Sequence, residues 1–311
     1  MGEPFHSDGI AVQEETGERA TAALNGRNIT PTIPMGAKLF VSQQDYCVIG
    51  WESPEREVWA YFFGSHRGFA SSESGGAHLD VDMSDVMADP ERMPPPLNSA
   101  SAADSLGLLF IELATRRRLR VNGRISRILG SKLRLDVAEA FPACPKYIQR
   151  REVDREAVVP TEDRVDSGTT ITPALADWIR RSDTFFIASA HPHHGVDVSH
   201  RGGMPGFVRF DGSLMRIPDY PGNSMFQTLG NLAAYPRAGV CFPDFAANRQ
   251  LQISGSARLD LRGGDHDGET AGTGRWWVFQ PERWFASPIT GGLRWRFVDR
   301  SPYNPEIRPR S

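Results

Sequence analysis

The chain repeats itself. Residues 106–125, LGLLFIELATRRRLRVNGRI, align without a gap on 238–257, AGVCFPDFAANRQLQISGSA, at an offset of 132. Identities fall at Gly107/Gly239, Phe110/Phe242, Ala114/Ala246, Arg117/Arg249, Leu119/Leu251 and Gly123/Gly255. Two further blocks match in the same order: Ser65-His66-Arg67-Gly68 with Ser199-His200-Arg201-Gly202, and 40–54 with 178–192. Three collinear blocks at nearly constant offset read as a duplicated domain, and the period is far too long for a solenoid. The 311 residues therefore divide into an arm (1–34), a first half (35–150), a charged and then Ser/Thr/Gly-rich linker (151–172) and a second half (173–311).

The texture inside each half is β. VWAYFF (58–63), GLLFIEL (107–113), TFFIASA (184–190), LQISGSARL (251–259), RWWVF (275–279) and LRWRFV (293–298) are short runs of aromatic and β-branched residues. Gly and Pro punctuate them as turns, which predicts a mainly β fold, a barrel or a sandwich with few short helices. One amphipathic helix is predicted over 222–235, where Met225, Phe226, Leu229 and Leu232 make an apolar face.

Composition narrows the function. A formal net charge of -3 argues against a nucleic-acid partner. No run of 18 apolar residues predicts a membrane span, and the first twenty residues carry no secretory signal. Cys47, Cys144 and Cys241 are three and far apart, so neither a disulfide framework nor a cysteine metal site is expected, and a cytoplasmic location fits. Only three of the 35 basic residues are lysine, which singles out Lys146.

Three segments carry candidate chemistry. IPDYPGNSM (217–225) leads into the predicted helix, with Asn223 or Ser224 as N-cap. Free N–H groups at such a start make an anion site. In the first copy the equivalent segment carries Pro94, Pro95 and Pro96, which cannot continue a helix, so that copy is expected to have lost its site. The segment 188–210 holds His191, His193, His194 and His200, then glycines that admit close backbone approach; Arg201 or His200 supplies charge. Adjacent histidines share no face, so no metal site is expected there. The connector EAFPACPKYIQRR (139–151) offers Lys146, Tyr147 and Gln149 across the seam. The run TRRRLR (115–120) reads as a solvated hairpin tip.

SDTFFIASAHP, GVDVSHRGGMPGFVRF, IPDYPGNSMFQTLGNL, PRAGVCFPDF and LQISGSARL together resemble flavin-nucleotide-binding proteins related to pyridoxamine 5'-phosphate oxidase, in their longer two-half form. The resemblance implies tandem FMN-binding split barrels, with FMN at an interface between barrels. It places Ser199, Arg201, Gly203, Asn223 and Ser224 near the phosphate and ribityl chain, and Phe207, Val208, Pro218 and Asp219 beside the flavin. Gln252 and Ser254 would lie on a neighbouring strand, and Lys146, Tyr147 and Gln149 would come from the connector. His200 and Tyr220 are the candidate proton carriers. The implied activity is an FMN-dependent two-electron oxidoreduction of a small molecule, with NAD(P)H as a possible donor and a homodimer as a possible assembly. The alternatives are a flavin-binding protein without turnover, or a split barrel using deazaflavin or haem. Two departures stand out. Asn223-Ser224 replaces the oxidase's Arg-Lys, and its carboxy-terminal arginine- and tryptophan-bearing substrate segment is not recognisable in 275–311.

Overall fold

The computed structural model describes residues 3–87, 100–154, 164–211 and 213–306. Three helices open the chain: α1 (Ser7–Glu15), α2 (Arg19–Gly26) and α3 (Met35–Ser42). The first half follows as β1 (Tyr46–Glu52), β2 (Val58–Gly64), β3 (Ala70–Ser72), β4 (His78–Asp82), α4 (Ser84–Met87), β5 (Ser105–Glu112), β6 (Arg117–Leu129) and β7 (Lys132–Pro142). Two short strands, β8 (Arg150–Asp154) and β9 (Asp166–Gly168), and α5 (Pro173–Arg181) lead to the second half. This runs β10 (Thr184–His191), β11 (Gly195–Gly202), β12 (Arg209–Phe210), β13 (Met215–Pro218), α6 (Gln227–Ala234), β14 (Arg237–Asp244), β15 (Arg249–Asp260) and β16 (Trp276–Pro288). The last strand is β17 (Arg294–Asp299).

Each half forms an antiparallel sheet with a main path of seven strands, the second sheet carrying β9 as an eighth. The orders are β2-β1-β5-β6-β7-β4-β3 and β11-β10-β14-β15-β16-β13-β12. Read by position within each half, the two orders are identical. The fold is therefore the mainly β architecture expected from the repeat, and the duplicated split barrel that the resemblance implies. No helix among the described residues is long and apolar enough to cross a membrane.

Three large apolar clusters and a smaller one around Phe5, Ala22, Phe141 and Met225 hold the described residues together. One fills the first barrel, around Trp59, Tyr61, Phe63 and Phe110, and one fills the second, around Phe185, Val240, Phe242 and Trp277. The third lies between the barrels, where Val48, Val58, Phe62 and Leu109 meet Phe186, Ala188, Val198 and Cys241. Strands such as β2 and β14 are thus buried on both faces, which is why they read as continuous apolar runs instead of alternating ones. The shared glycines gain a reason here. A Cβ on Gly107 would stand 2.7 Å from the Val196 carbonyl oxygen, and one on Gly239 would stand 2.4 Å from that of Val58. Backbone therefore meets backbone across the seam from both sides.

Several sequence expectations change. The middle repeat block is out of register. Tyr46 pairs with Gly64 and Thr184 with Gly202, so the counterparts of Ser199-His200-Arg201-Gly202 are Tyr61-Phe62-Phe63-Gly64, not Ser65–Gly68. The linker contributes β8, which pairs with β17, and β9, which pairs with β16. The polar arm is helical and packs on α6. The predicted helix begins at Gln227, five residues late, because Ser224 and Phe226 adopt left-handed φ values of 60° and 53°. Asn223 and Ser224 are therefore in an irregular loop and cap no helix. Gly206-Phe207-Val208 forms no strand. Pro94–Pro96 lie outside the described residues.

Candidate functional site: an anion cleft at the seam

One cleft draws on both halves. From the first half come Arg118 and Arg120 of β6 and Cys144, Lys146 and Tyr147 of the connector. From the second come Ser199, His200, Arg201 and Gly202 of β11, then Asp219 to Leu229 in most positions. Its enclosed volume is about 90 Å³. That suits a phosphate-sized group but is well below the roughly 300 Å³ at which pockets for drug-sized ligands begin.

Its charge is positive. Arg120 has a partner: its guanidinium reaches Asp197 Oδ1 at 3.2 Å and Gln227 Oε1 at 2.6 Å, and donates to the Ser199 hydroxyl. Arg201 lies 3.8 Å from Asp219 Oδ1, but Asp219 Oδ2 is taken by Arg275 Nε at 3.0 Å. Arg118 donates to the Cys144 carbonyl and pairs with no carboxylate among the described residues. Burial, with Arg120 and Arg201 nearby, pushes its guanidinium down to about 9. The Nε–H groups of Arg118, Arg120 and Arg201 are all buried without an acceptor. Each such group costs about 1–3 kcal/mol, and native structures hold few of them. Three in one cleft is a donor set shaped for an anion.

The remaining candidates sort by geometry. Tyr147 and Tyr220 face each other with ring centroids 5.0 Å apart, and the Tyr147 hydroxyl donates to the Pro221 carbonyl at 2.9 Å. Burial pushes Tyr147 up to about 12 and raises Tyr220 further, so both phenols stay protonated at neutral pH. His200 packs edge-on against Phe186, is 3% exposed, and has an unpartnered Nε2. Burial and the neighbouring arginines hold it well below the usual histidine range, hence neutral. Lys146 stands 5.4 Å from the Tyr303 ring centre. Ser199, Arg201, Asp219, Asn223 and Ser224 line the cleft.

Seven expected site residues do not line it. Gln149 is fully buried and consumed by structure. Its amide donates toward the Tyr147 and Gly203 carbonyls, and its oxygen accepts from Ser301 N and Asn304 Nδ2. Gly203 lies just past the cleft, its N–H on the Asp183 carbonyl. Phe207 and Val208 belong to the second-barrel core, and Pro218 is buried at the end of β13 against Trp276. Gln252 and Ser254 are also buried outside the cleft, on β15. Their counterparts at the repeat offset are Arg120 and Asn122, and the cleft takes β6 of the opposite half, not β15 of its own. The arginine run is accordingly split. Arg117 is a solvated tip residue on Glu112, whereas Arg118 and Arg120 point into the cleft. The signal was present in the repeat, where both align with glutamine.

The symmetry-related position on the other side of the seam is built differently. Pairing register puts Trp59, Tyr61 and Phe63 where Asp197, Ser199 and Arg201 stand. Gln250 and Gln252 replace Arg118 and Arg120. Gln250 bonds the backbone of Phe62 at N and O, at 2.8 and 3.1 Å. Aromatic side chains and amide bonds thus fill the position that holds cations on the other side.

A half-buried acid pair lies beside Arg120. Asn122 Nδ2 bridges Asp197 Oδ1 at 2.6 Å and Glu139 Oε2 at 3.3 Å. Burial and Asp197 push Glu139 up to about 7. A carboxyl raised above its unfolded value of 4.5 costs stability as pH climbs from about 4.5 to about 7, and the cost then stays constant. Glu139→Gln should therefore raise stability by roughly 1–3 kcal/mol at pH 8.5 and have little effect at pH 5. Urea melts at the two pH values check this; an equal effect at both would refute it.

Residues 171–285 match the family model described as pyridoxamine 5'-phosphate oxidase. Over that segment the chain is similar to this family, as its motifs suggested. Similar solved structures include HupZ from Group A Streptococcus, at 15% identity and TM-score 0.31, covering 37% of this chain and 91% of that one. A putative pyridoxamine 5'-phosphate oxidase from Lactobacillus delbrueckii is 11% identical with TM-score 0.30, covering 37% and 93%. HutZ, a heme storage protein from Vibrio cholerae, is 14% identical with TM-score 0.28, covering 39% and 97%. No curated protein matches.

Proposed function

We propose that the protein is an FMN-dependent oxidoreductase that binds one FMN per chain at the seam and acts on a small molecule. The observation that carries this is the trio of buried, unpartnered guanidinium N–H groups in one cleft. Arg118, Arg120 and Arg201 would hold the phosphate, with hydroxyl and amide donors from Ser199, Asn223 and Thr228. Tyr147 and Tyr220 offer ring faces, and Lys146 adds a cation at the rim. When bound, FMN supplies two-electron transfer. The neighbouring phenol of Tyr220 stays protonated and serves as a donor, while His200, held neutral by burial and the arginines, adds no charge to the cleft. The symmetry-related position, filled by aromatic side chains, supports a count of one.

Purified protein should be yellow, with an absorbance maximum at about 450 nm and one FMN per chain. Two per chain would sink the asymmetry. A Soret band would move the reading to haem, for which the free Nε2 of His200 is a ligand atom. Reduction by NAD(P)H with reoxidation by air separates an enzyme from a carrier.

A further inference from the structure

The amino-terminal segment has no part in the cleft chemistry, yet it holds the cleft's wall. Gln13 Nε2 donates to the Met225 carbonyl at 2.9 Å and Asn25 Nδ2 to that of Asn223 at 2.8 Å. Glu18 accepts from the Ser224 hydroxyl and takes Arg275 Nη1 at 2.6 Å. Three points of contact thus fall on Asn223, Ser224 and Met225, all of which line the cleft.

The segment is fastened at its start by imidazoles. The His6 ring lies 4.1 Å from that of His191 and 5.2 Å from that of His194, which is exposed. The hydrogen-bond network fixes the protonation of His6. Asn231 Nδ2 donates to Asp197 Oδ2 at 3.0 Å and to Ser189 Oγ at 3.1 Å, so its Oδ1 must accept. The partner of that Oδ1 is His6 Nε2, at 3.0 Å, which therefore carries the proton. His6 Nδ1 is then a bare acceptor, and it caps α1 by taking the Gly9 N–H at 3.1 Å. His191 is set likewise: Nδ1 accepts from His193 N at 3.1 Å, and Nε2 donates to Asp8 Oδ2 at 3.3 Å.

His6, Asp8 and His191 bring ligand-type atoms within 4.8 Å of one another, as a metal site would. The tautomers argue otherwise. A metal ion would have to displace the cap bond at His6 and the proton at His191. We propose that His6, His191 and His194 form a proton-sensitive clasp, which fastens residues 3–29 over the cleft wall at neutral pH and releases them in mild acid.

A proton added to His6 goes to Nδ1. It turns the cap acceptor into a donor facing another donor, and places cationic rings 4–5 Å apart. The carboxylates that face the cluster offset this only in part. Asp8, on α1, is bonded to His191, and the same oxygen stands 3.8 Å from His6 Nδ1, outside hydrogen-bond reach. Asp197, on β11, acts through Asn231 and is shared with Arg120 and Asn122. His193, in the turn after β10, adds a further ring 6.0 Å from His191. Burial and the neighbouring imidazoles hold His6 and His194 below their usual value of 6.5. A released segment would titrate at the usual value and so bind more protons. The closed state is therefore favoured above about pH 6.5 and loses ground as pH falls below it.

Hydrogen exchange on the full chain, compared at pH 7.5 and 5.5 after correction for intrinsic rates, tests the clasp without reference to any cofactor. Residues 7–26 should lose protection at least tenfold at pH 5.5, while β10 and β14 keep theirs. In His6→Gln, which can keep the bond to Asn231 but cannot titrate, the pH dependence should shrink severalfold; His194→Gln, at an exposed position, should do so in part even if His6→Gln folds poorly. Equal protection of the wild type at both pH values would overturn the proposal, as would an unchanged pH dependence in both variants. Submicromolar binding of zinc by the wild type at pH 7.5, lost in His6→Gln, would overturn it in favour of a metal site.

Discussion

Arg118→Met is expected to stabilise the ligand-free protein and to weaken FMN binding at the same time. The guanidinium is buried, bonds one carbonyl, leaves Nε–H without an acceptor, and lies near two more arginines. In the absence of an anion it is a desolvated charge with poor compensation. Replacing such a group with an apolar side chain of similar length is typically neutral or stabilising, by about 1–4 kcal/mol. With FMN present the same group makes a charge-assisted hydrogen bond worth roughly 1.5–3 kcal/mol, so the loss in affinity should be about 10- to 100-fold. Urea midpoints without ligand, and flavin-fluorescence titration with it, give the two signs. A variant that is less stable but binds FMN as well as the wild type would remove Arg118 from the site.

Gly202→Ala should cost about 2–4 kcal/mol and disable the cleft. A Cβ there would stand 2.0 Å from the Tyr147 carbonyl oxygen and 3.2 Å from that of Asp183. Both obstacles are backbone. The connector cannot retreat cheaply, because Gln149 ties Tyr147, Gly203, Ser301 and Asn304 into one buried knot. Any shift that admits the methyl also moves Lys146 and Tyr147 away from the arginines. Gly64 is the counterpart in the first half, where a Cβ would meet the Thr290 carbonyl oxygen at 2.1 Å. Gly64→Ala should be destabilising to a similar degree yet leave FMN affinity within a few-fold, since it lies across the seam from the cleft. Gly36→Ala, in α3 with open space around it, should stabilise slightly, by roughly 0.5–1 kcal/mol. Thermal melts and FMN titration of the three variants separate packing from binding. A Gly202→Ala protein as stable and as well loaded as the wild type would show that the connector yields.

The sequence determined more of the fold than of the site. Repeat identities at Gly107/Gly239 and Gly123/Gly255 sit where a backbone has to pass close to another backbone. Such positions tolerate no side chain, so both copies keep them and the duplication stays legible. The strands were readable because barrel core and seam both demand apolar, β-forming residues. The motifs also singled out Lys146, Tyr147, Ser199, Arg201, Asp219, Tyr220, Asn223 and Ser224, which line the cleft.

What failed did so for reasons of space. Gln252 and Ser254 were placed in the site because local sequence ties a strand to its own half, while a seam site borrows from the other. Arg118 and Arg120 looked like a solvated tip because charge alone does not say which way a strand alternates; their burial is fixed by β6 lying against β11 and α6. Phe207 and Val208 read as a strand beside a ligand, and packing made them core. His6 and Asp8, in a segment that reads only as polar, come to lie against His191 through the docking of α1 on α6. Side-chain chemistry and spacing thus set the barrels and their pairing. Which charges face each other, and which copy keeps a cleft, depended on contacts between residues scores of positions apart, and those exist only once the two barrels have packed.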